Sequence, residues 1–376
     1  MTFDIRPVRD ASSRLGRAYM ELPFELYRND PSWVPPLRRS INAIISGRHP
    51  FFEHSRGEAF VVLAGSRAVA RYLMLDPRMY NEYSRRAEAR IMMPEAIDDG
   101  EVWGAMLDHA REWARARGAT VLYGPRGFSP MDGAGVQIEG FDRRATMTMM
   151  PYTAEFYARR FEEQGFRKHK DFVCAELNAA AFTTPEKVRR VAEIARKRNR
   201  LVPSRPRNRR ELRRFGAEVM EVYNQSWADH EEFRPFTEAE MRRTVEDLLL
   251  VSEPDLVVAL RNDAGRMVGF VLTFPDLSGA LQRSNGYVGL RTILDIAREK
   301  RRVRHYIING LGILPEYRNN GGTAILYTLL EETLRRRNVV SAEMTQIAET
   351  TDRMLADMET LGGVVTKRHR VYLAEL

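Results

Sequence analysis

The stretch "GLGILPEYRNNGGTAILYTLLEETLRRR" (310–337) gathers Arg318, Asn319, Asn320, Gly321, Gly322 and Thr323, followed by Ala324, at one turn before an apolar helix. A helix start exposes unpaired backbone N–H groups and a partial positive charge, which suits the pyrophosphate of a nucleotide-like donor. Gly321 and Gly322 let the main chain approach closely, and Arg318 adds a cation. The preceding "YIINGLGIL" predicts a strand, and Leu311, Gly312 and Ile313 offer backbone N–H groups that can polarise a carbonyl. The helix itself carries Ile325, Leu326, Leu329, Leu330 and Leu334 on one stripe, with Arg335, Arg336 and Arg337 complementing its C-terminal dipole.

The elements that position this turn occur twice. Residues 102–117 form an amphipathic helix stopped by Gly118, followed by the strand "TVLYG", a helix "AEFYARRFEEQGF" and the strand "KHKDFVCAEL". Residues 322–376 repeat that course and end on "LAEL", as the first copy ends on "CAEL". Each copy is preceded by a hairpin, "AFVVLAGSRAVARYLML" in the first and "DLVVALRNDAGRMVGFVLTF" in the second. The chain of 376 residues has room for two domains. The expected class is therefore α/β, mixed α+β: two tandem modules, each a mixed, mostly antiparallel sheet flanked by helices. The expected boundaries are 1–178, a basic helix and linker over 179–203, and 204–376. At the matching helix start the first copy has Asp98, Asp99 and Glu101, which stabilise a helix but repel a pyrophosphate. Only the second copy should bind the anion.

Arg318-Asn319-Asn320-Gly321-Gly322-Thr323 resembles the acyl-CoA signature of the GCN5-related N-acetyltransferase (GNAT) superfamily, Arg/Gln-x-x-Gly-x-Gly/Ala, with Thr323 where the family prefers Gly or Ala. With "WVPPLRR", "HPFFEH", "YGPRGFS", "VYNQSW" and "VGFVLTFPDL", the chain resembles a bacterial group of double-module acyltransferases that includes the bacterial ceramide synthases. The resemblance implies an acyl-CoA-dependent N-acyltransferase. It would move an acyl group from the thioester to a primary amine, a sphingoid base in the ceramide case. Its first module would be a degenerate copy. The superfamily's usual thiolate acid, a tyrosine near the end of the penultimate helix, falls here on Met358, which has no proton to give.

N-acyl transfer also needs a base for the amine. The candidates are Glu343 on "SAEMTQI", Asp276 in "FPDL" and His54 in "HPFFEH". The histidines show no metal-ligand spacing and Cys174 is the single cysteine, so no metal is expected.

The charge of +8 is concentrated: residues 186–214 hold thirteen Lys or Arg against three Glu. Such a segment is a solvated face or meets an anionic partner, whether a lipid surface, an RNA or a cofactor phosphate. It has no aromatic residue for base stacking, which argues against a non-catalytic RNA-binding protein. An aminoacyl-tRNA-dependent double-module ligase is the other enzymatic alternative, and the glycine pair with Arg318 favours CoA. Residues 277–304 combine Leu290, Ile293, Leu294 and Ile296 with Arg298, Lys300, Arg301, Arg302 and Arg304, a pattern suited to the surface of an anionic bilayer. No apolar run is long enough to span one. The start "MTFDIRPVRD" lacks an apolar core, so the expected location is the cytoplasm, with peripheral contact at the inner face of the membrane.

Overall fold

The computed structural model describes all residues except 1, 148, 229–231 and 319, and the side chain of Asn199. The first module runs β1 (Asp4–Val8), α1 (Arg14–Leu26), α2 (Arg38–Ile45), β2 (Arg56–Ala64), β3 (Arg67–Asp76), α3 (Arg78–Ser84), β4 (Glu88–Ala96), α4 (Gly100–Arg115), β5 (Val121–Gly124), β6 (Val136–Glu139), α5 (Phe156–Glu163) and β7 (Arg167–Asn178). The linker helix α6 (Glu186–Asn199) leads to β8 (Val202–Ser204), α7 (Arg209–Ser226), α8 (Glu238–Val251), β9 (Val257–Arg261) and β10 (Met267–Pro275). After α9 (Ser278–Ser284) and α10 (Leu290–Arg302) come β11 (His305–Ile313), α11 (Pro315–Arg318), α12 (Gly322–Arg336), β12 (Ser341–Ala348), α13 (Asp352–Thr360) and β13 (Val364–Glu375).

The fold class is the expected one. Among the described residues only β4/β5 and β11/β12 pair in parallel, and every other strand pair is antiparallel. Among the described residues the two modules share one thirteen-stranded sheet, in the order β1-β2-β3-β4-β5-β13-β7-β12-β11-β10-β9-β8, with β6 also on β13. The last strands are exchanged. β13 lies against β5 of the first module, β7 lies against β12 of the second, and the two pair with each other from Val364↔Glu176 to Leu373↔Arg167. The exchange ties the two modules together through the backbone ladder of β5, β13, β7 and β12.

Helix spacing explains the layers. α4 buries Val102, Trp103, Met106, Leu107, Ala110 and Trp113 against the first half of the sheet. α12 buries Ile325, Leu326, Leu329, Leu330 and Leu334 against the second. α6 packs on α12 in the opposite direction: Arg189 near its start pairs with Glu331 at 2.7 Å, and Ala195 near its end meets Gly321.

Candidate active site

In the second module β11 and β12 pair only from His305↔Ser341 to Ile308↔Met344 and then part. Irregularities on both strands open the gap. On β11 the register against β10 slips between Ile308 and Leu311, with Gly310 at φ +118. On β12 it slips against β7 between Met344 and Ile347, with Gln346 at φ +57. The Leu314 N–H donates to the Val268 carbonyl across β10, at 2.9 Å. Ladder alternation then turns the N–H groups of Leu311 and Ile313 towards the gap, while Gly312 faces β10.

The α12 start lies beyond the end of β11. Gly321 is its N-cap, at φ +79, and among the described residues no side chain caps the first turn of Gly322, Thr323 and Ala324. Both glycines have a packing reason. A Cβ on Gly321 would lie 2.6 Å from the Ala195 Cβ of α6, and one on Gly322 would lie 2.2 Å from Ile313 Cδ1. Arg318 is half-buried with its guanidinium engaged by backbone: its Nε donates to the Ile313 carbonyl at 3.3 Å and its Nη2 to the Ser226 carbonyl. Asn320 Nδ2 donates to the Glu316 carbonyl at 2.8 Å, and Asn319 lies outside the described residues.

A segment of the first module borders the gap. Asn309 Nδ2 lies 3.3 Å from Met149 Sδ, and Gln346 Nε2 donates to the carbonyls of Asp132 (2.8 Å) and Met149 (3.1 Å). Of the methionines in this segment, Met147 and Met150 are core and Met149 reaches the gap.

The equivalent place in the first module is closed. Asp99 caps α4, accepting from the N–H groups of Glu101 (2.8 Å) and Val102 (3.2 Å). β4 and β5 part after Arg90↔Tyr123, but the Arg126 N–H bridges them by donating to the Ile91 carbonyl at 2.9 Å. Glu232 of the second module lies beside this bridge. It takes hydrogen bonds from Tyr123 (2.7 Å), Arg126 (2.8 Å) and Lys170 (3.2 Å). Burial alone would raise its carboxyl, but Arg126 and Lys170 outweigh burial and hold it far below the usual carboxylate range.

Two of the three candidate bases meet one segment, residues 144–147, and the third stands apart. Glu343 Oε1 accepts from the Thr146 hydroxyl and from buried Lys367 at 2.9 Å. Lys367 also donates to Thr146 Oγ1 (2.6 Å) and the Arg144 carbonyl (2.9 Å). Asp276 is buried, with Oδ2 on Arg144 at 2.5 Å and Oδ1 accepting from the Ser278 N–H at 2.9 Å. His54 has both nitrogens engaged, Nδ1 with Ser55 Oγ (2.9 Å) and Nε2 with Glu240 Oε1 (3.1 Å), where Glu240 closes the capping box of α8. His369, not singled out as a base, is buried on β13, and burial lowers its imidazole to about 3, so it stays neutral. Among the described residues no three His, Cys, Asp or Glu side chains come together as a metal site.

Sequence reasoning missed Lys367 and Glu232. A lysine inside an alternating strand at "VVTKRHRVYL" was the available signal for the first; nothing local marks the second.

Residues 218–356 match the model of the Acetyltransferase (GNAT) family. The chain is 28% identical over 366 residues to Protein YghO of Escherichia coli (strain K12), covering 95% of this chain and 92% of that protein. It is 29% identical over 277 residues to the bacterial ceramide synthase of Caulobacter vibrioides (strain NA1000 / CB15N), covering 72% of this chain and 70% of that one. A tandem GNAT protein from the clavulanic acid biosynthesis pathway superposes along the whole length, with TM-score 0.58 at 14% identity, covering 100% and 98% of the two chains. The GNAT family match thus falls in the second module, and the chain as a whole shares the fold of a tandem GNAT protein. GNAT domains support N-acyltransferase chemistry.

Proposed function

We propose that the protein transfers an acyl group from acyl-CoA to a primary amine, and that the amine belongs to a lipid of the sphingoid type at a membrane surface. The observation that carries the donor reading is the contrast between the modules. Among the described residues, one pairs an uncapped helix start with an open strand gap; the other is capped by Asp99 and bridged by the Arg126 N–H. A pyrophosphate suits the free N–H groups of α12, whose positive end is not already neutralised. The residues assigned to the cofactor are Leu311, Gly312, Ile313, Arg318, Asn319, Asn320, Gly321, Gly322, Thr323 and Ala324. Within that set the N–H groups of Leu311 and Ile313 polarise the thioester carbonyl. We take Glu343 as the base for the amine, because it sits on a strand bordering the gap and both of its hydrogen bonds to Lys367 and Thr146 fall on Oε1. Asp276 and His54 follow it in that order.

The lipid acceptor draws support from the named ceramide synthase relative and from α10. Leu290, Ile293 and Leu294 are 83%, 54% and 59% exposed, beside exposed Tyr287 and Val288. Exposed Arg291, Arg298, Arg301 and Arg302 lie on the same helix. Arg304 and Lys300 do not serve this surface: Arg304 donates to the Asn338 carbonyl at 3.1 Å, and Lys300 is half-buried near the Leu250 carbonyl. Among the described residues no helix is long and apolar enough to cross a membrane. Each cation near an anionic leaflet contributes up to ~1 kcal/mol. The protein should therefore sediment with anionic vesicles at low salt, release as salt rises, and ignore neutral vesicles. Replacing Arg298, Arg301 and Arg302 by Gln should abolish sedimentation. A wild type that stays in the supernatant with anionic vesicles would replace the lipid acceptor with a soluble amine.

A further inference from the structure

The geometry points to the end of the linker helix α6 as the site for the 3′-phosphoadenosine half of CoA, a proposal that rests on the acyl-CoA reading above. α6 runs antiparallel to α12. Near its start Arg189 pairs with Glu331, and the Thr184 N–H donates to the same carboxylate at 2.9 Å. Near its end Val191 and Ala195 lie over the start of α12: a Cβ on Gly321 would come within 3.1 Å of Val191 Cγ1 and 2.6 Å of Ala195 Cβ. The residues after Ala195 therefore extend beyond the uncapped helix start, by roughly one turn or about 5 Å.

Helical spacing fixes what that overhang carries. Val191, Ile194 and Arg198 fall at i, i+3 and i+7, along one flank of the face that meets Gly321. Val191 is 42% exposed and Ile194 64% exposed, an aliphatic pair left uncovered beside a polar turn. Arg198 and Arg200 are exposed, and among the described residues neither has an ion-pair or hydrogen-bond partner. Arg200 ends the helix in the left-handed conformation, at φ +49. A flat apolar surface followed by two uncommitted guanidiniums, next to a pyrophosphate-sized set of free N–H groups, matches adenosine 3′-phosphate in chemistry and order. The aliphatic pair takes a face of the adenine, and the guanidiniums take the dianionic phosphate. Lys197 projects from the opposite side of the helix and is outside the site.

The test compares CoA with 3′-dephospho-CoA by calorimetry on the full chain. Wild type should bind CoA about tenfold more tightly, the scale of one charge-assisted contact. The double variant Arg198→Gln/Arg200→Gln should lose that preference while keeping wild-type affinity for 3′-dephospho-CoA. Lys197→Gln, which removes the same charge from the outward face, should keep the preference. Equal wild-type affinity for the two ligands, or a preference that survives in the double variant, overturns the proposal and leaves the acyl-CoA site standing. Binding of neither ligand overturns the acyl-CoA reading and this site together.

Discussion

Thr323→Glu is expected to lower CoA affinity by at least about a hundredfold while leaving thermal stability unchanged or slightly raised. Thr323 is half-exposed in the first turn of α12, where among the described residues no side chain caps the N–H groups. A carboxylate there does for α12 what Asp99 does for α4, and a helix gains about 0.3–1 kcal/mol from it. The same carboxylate would occupy the place proposed for the pyrophosphate and repel it; two like charges about 4 Å apart interact by roughly 4 kcal/mol at an effective dielectric of 20. Opposite signs on stability and affinity separate this outcome from simple unfolding. Thr323 is a better position than Gly321, where any side chain collides with Ala195. Unchanged CoA affinity by calorimetry would remove the α12 start from the site.

Lys367→Ala should cost about 3–5 kcal/mol of unfolding free energy, because it leaves the Glu343 carboxylate buried without its counter-charge. Lys367 is the hub of a bridge between modules: from β13 it holds Glu343 on β12 and the Thr146 and Arg144 atoms of the first module. Replacing both charges, Lys367→Met with Glu343→Leu, should recover most of the loss, since no uncompensated charge then remains. Denaturant titration measures both variants. A loss below about 1 kcal/mol for the single variant would mean the pair is solvated and does not join the modules.

The order of elements was legible because each carried its own period. The apolar stripe over 102–117 became Gly100–Arg115, the basic helix expected within 179–203 became Glu186–Asn199, and the two-period run at "DLVVALRNDAGRMVGFVLTF" became β9 and β10. The strand exchange was not legible: "CAEL" and "LAEL" present equivalent edges, so local pattern cannot choose between partners. Acidic capping at α4 and its absence at α12 followed from Asp99 against Gly321. The sequence could not show that Gly321 also makes room for α6, although Ala192 and Ala195 on one face were a sign of close helix packing. Nor could it place Glu343, since whether it met Lys367 or solvent depended on a register fixed by the exchanged strand β7.

The central claim is that one of the two modules, the second, carries the acyl donor. Equilibrium titration of the intact wild-type chain with acetyl-CoA tests it most directly. One equivalent should bind per chain. Two equivalents would mean that the Asp99-capped module binds as well, and none at all would contradict the donor site.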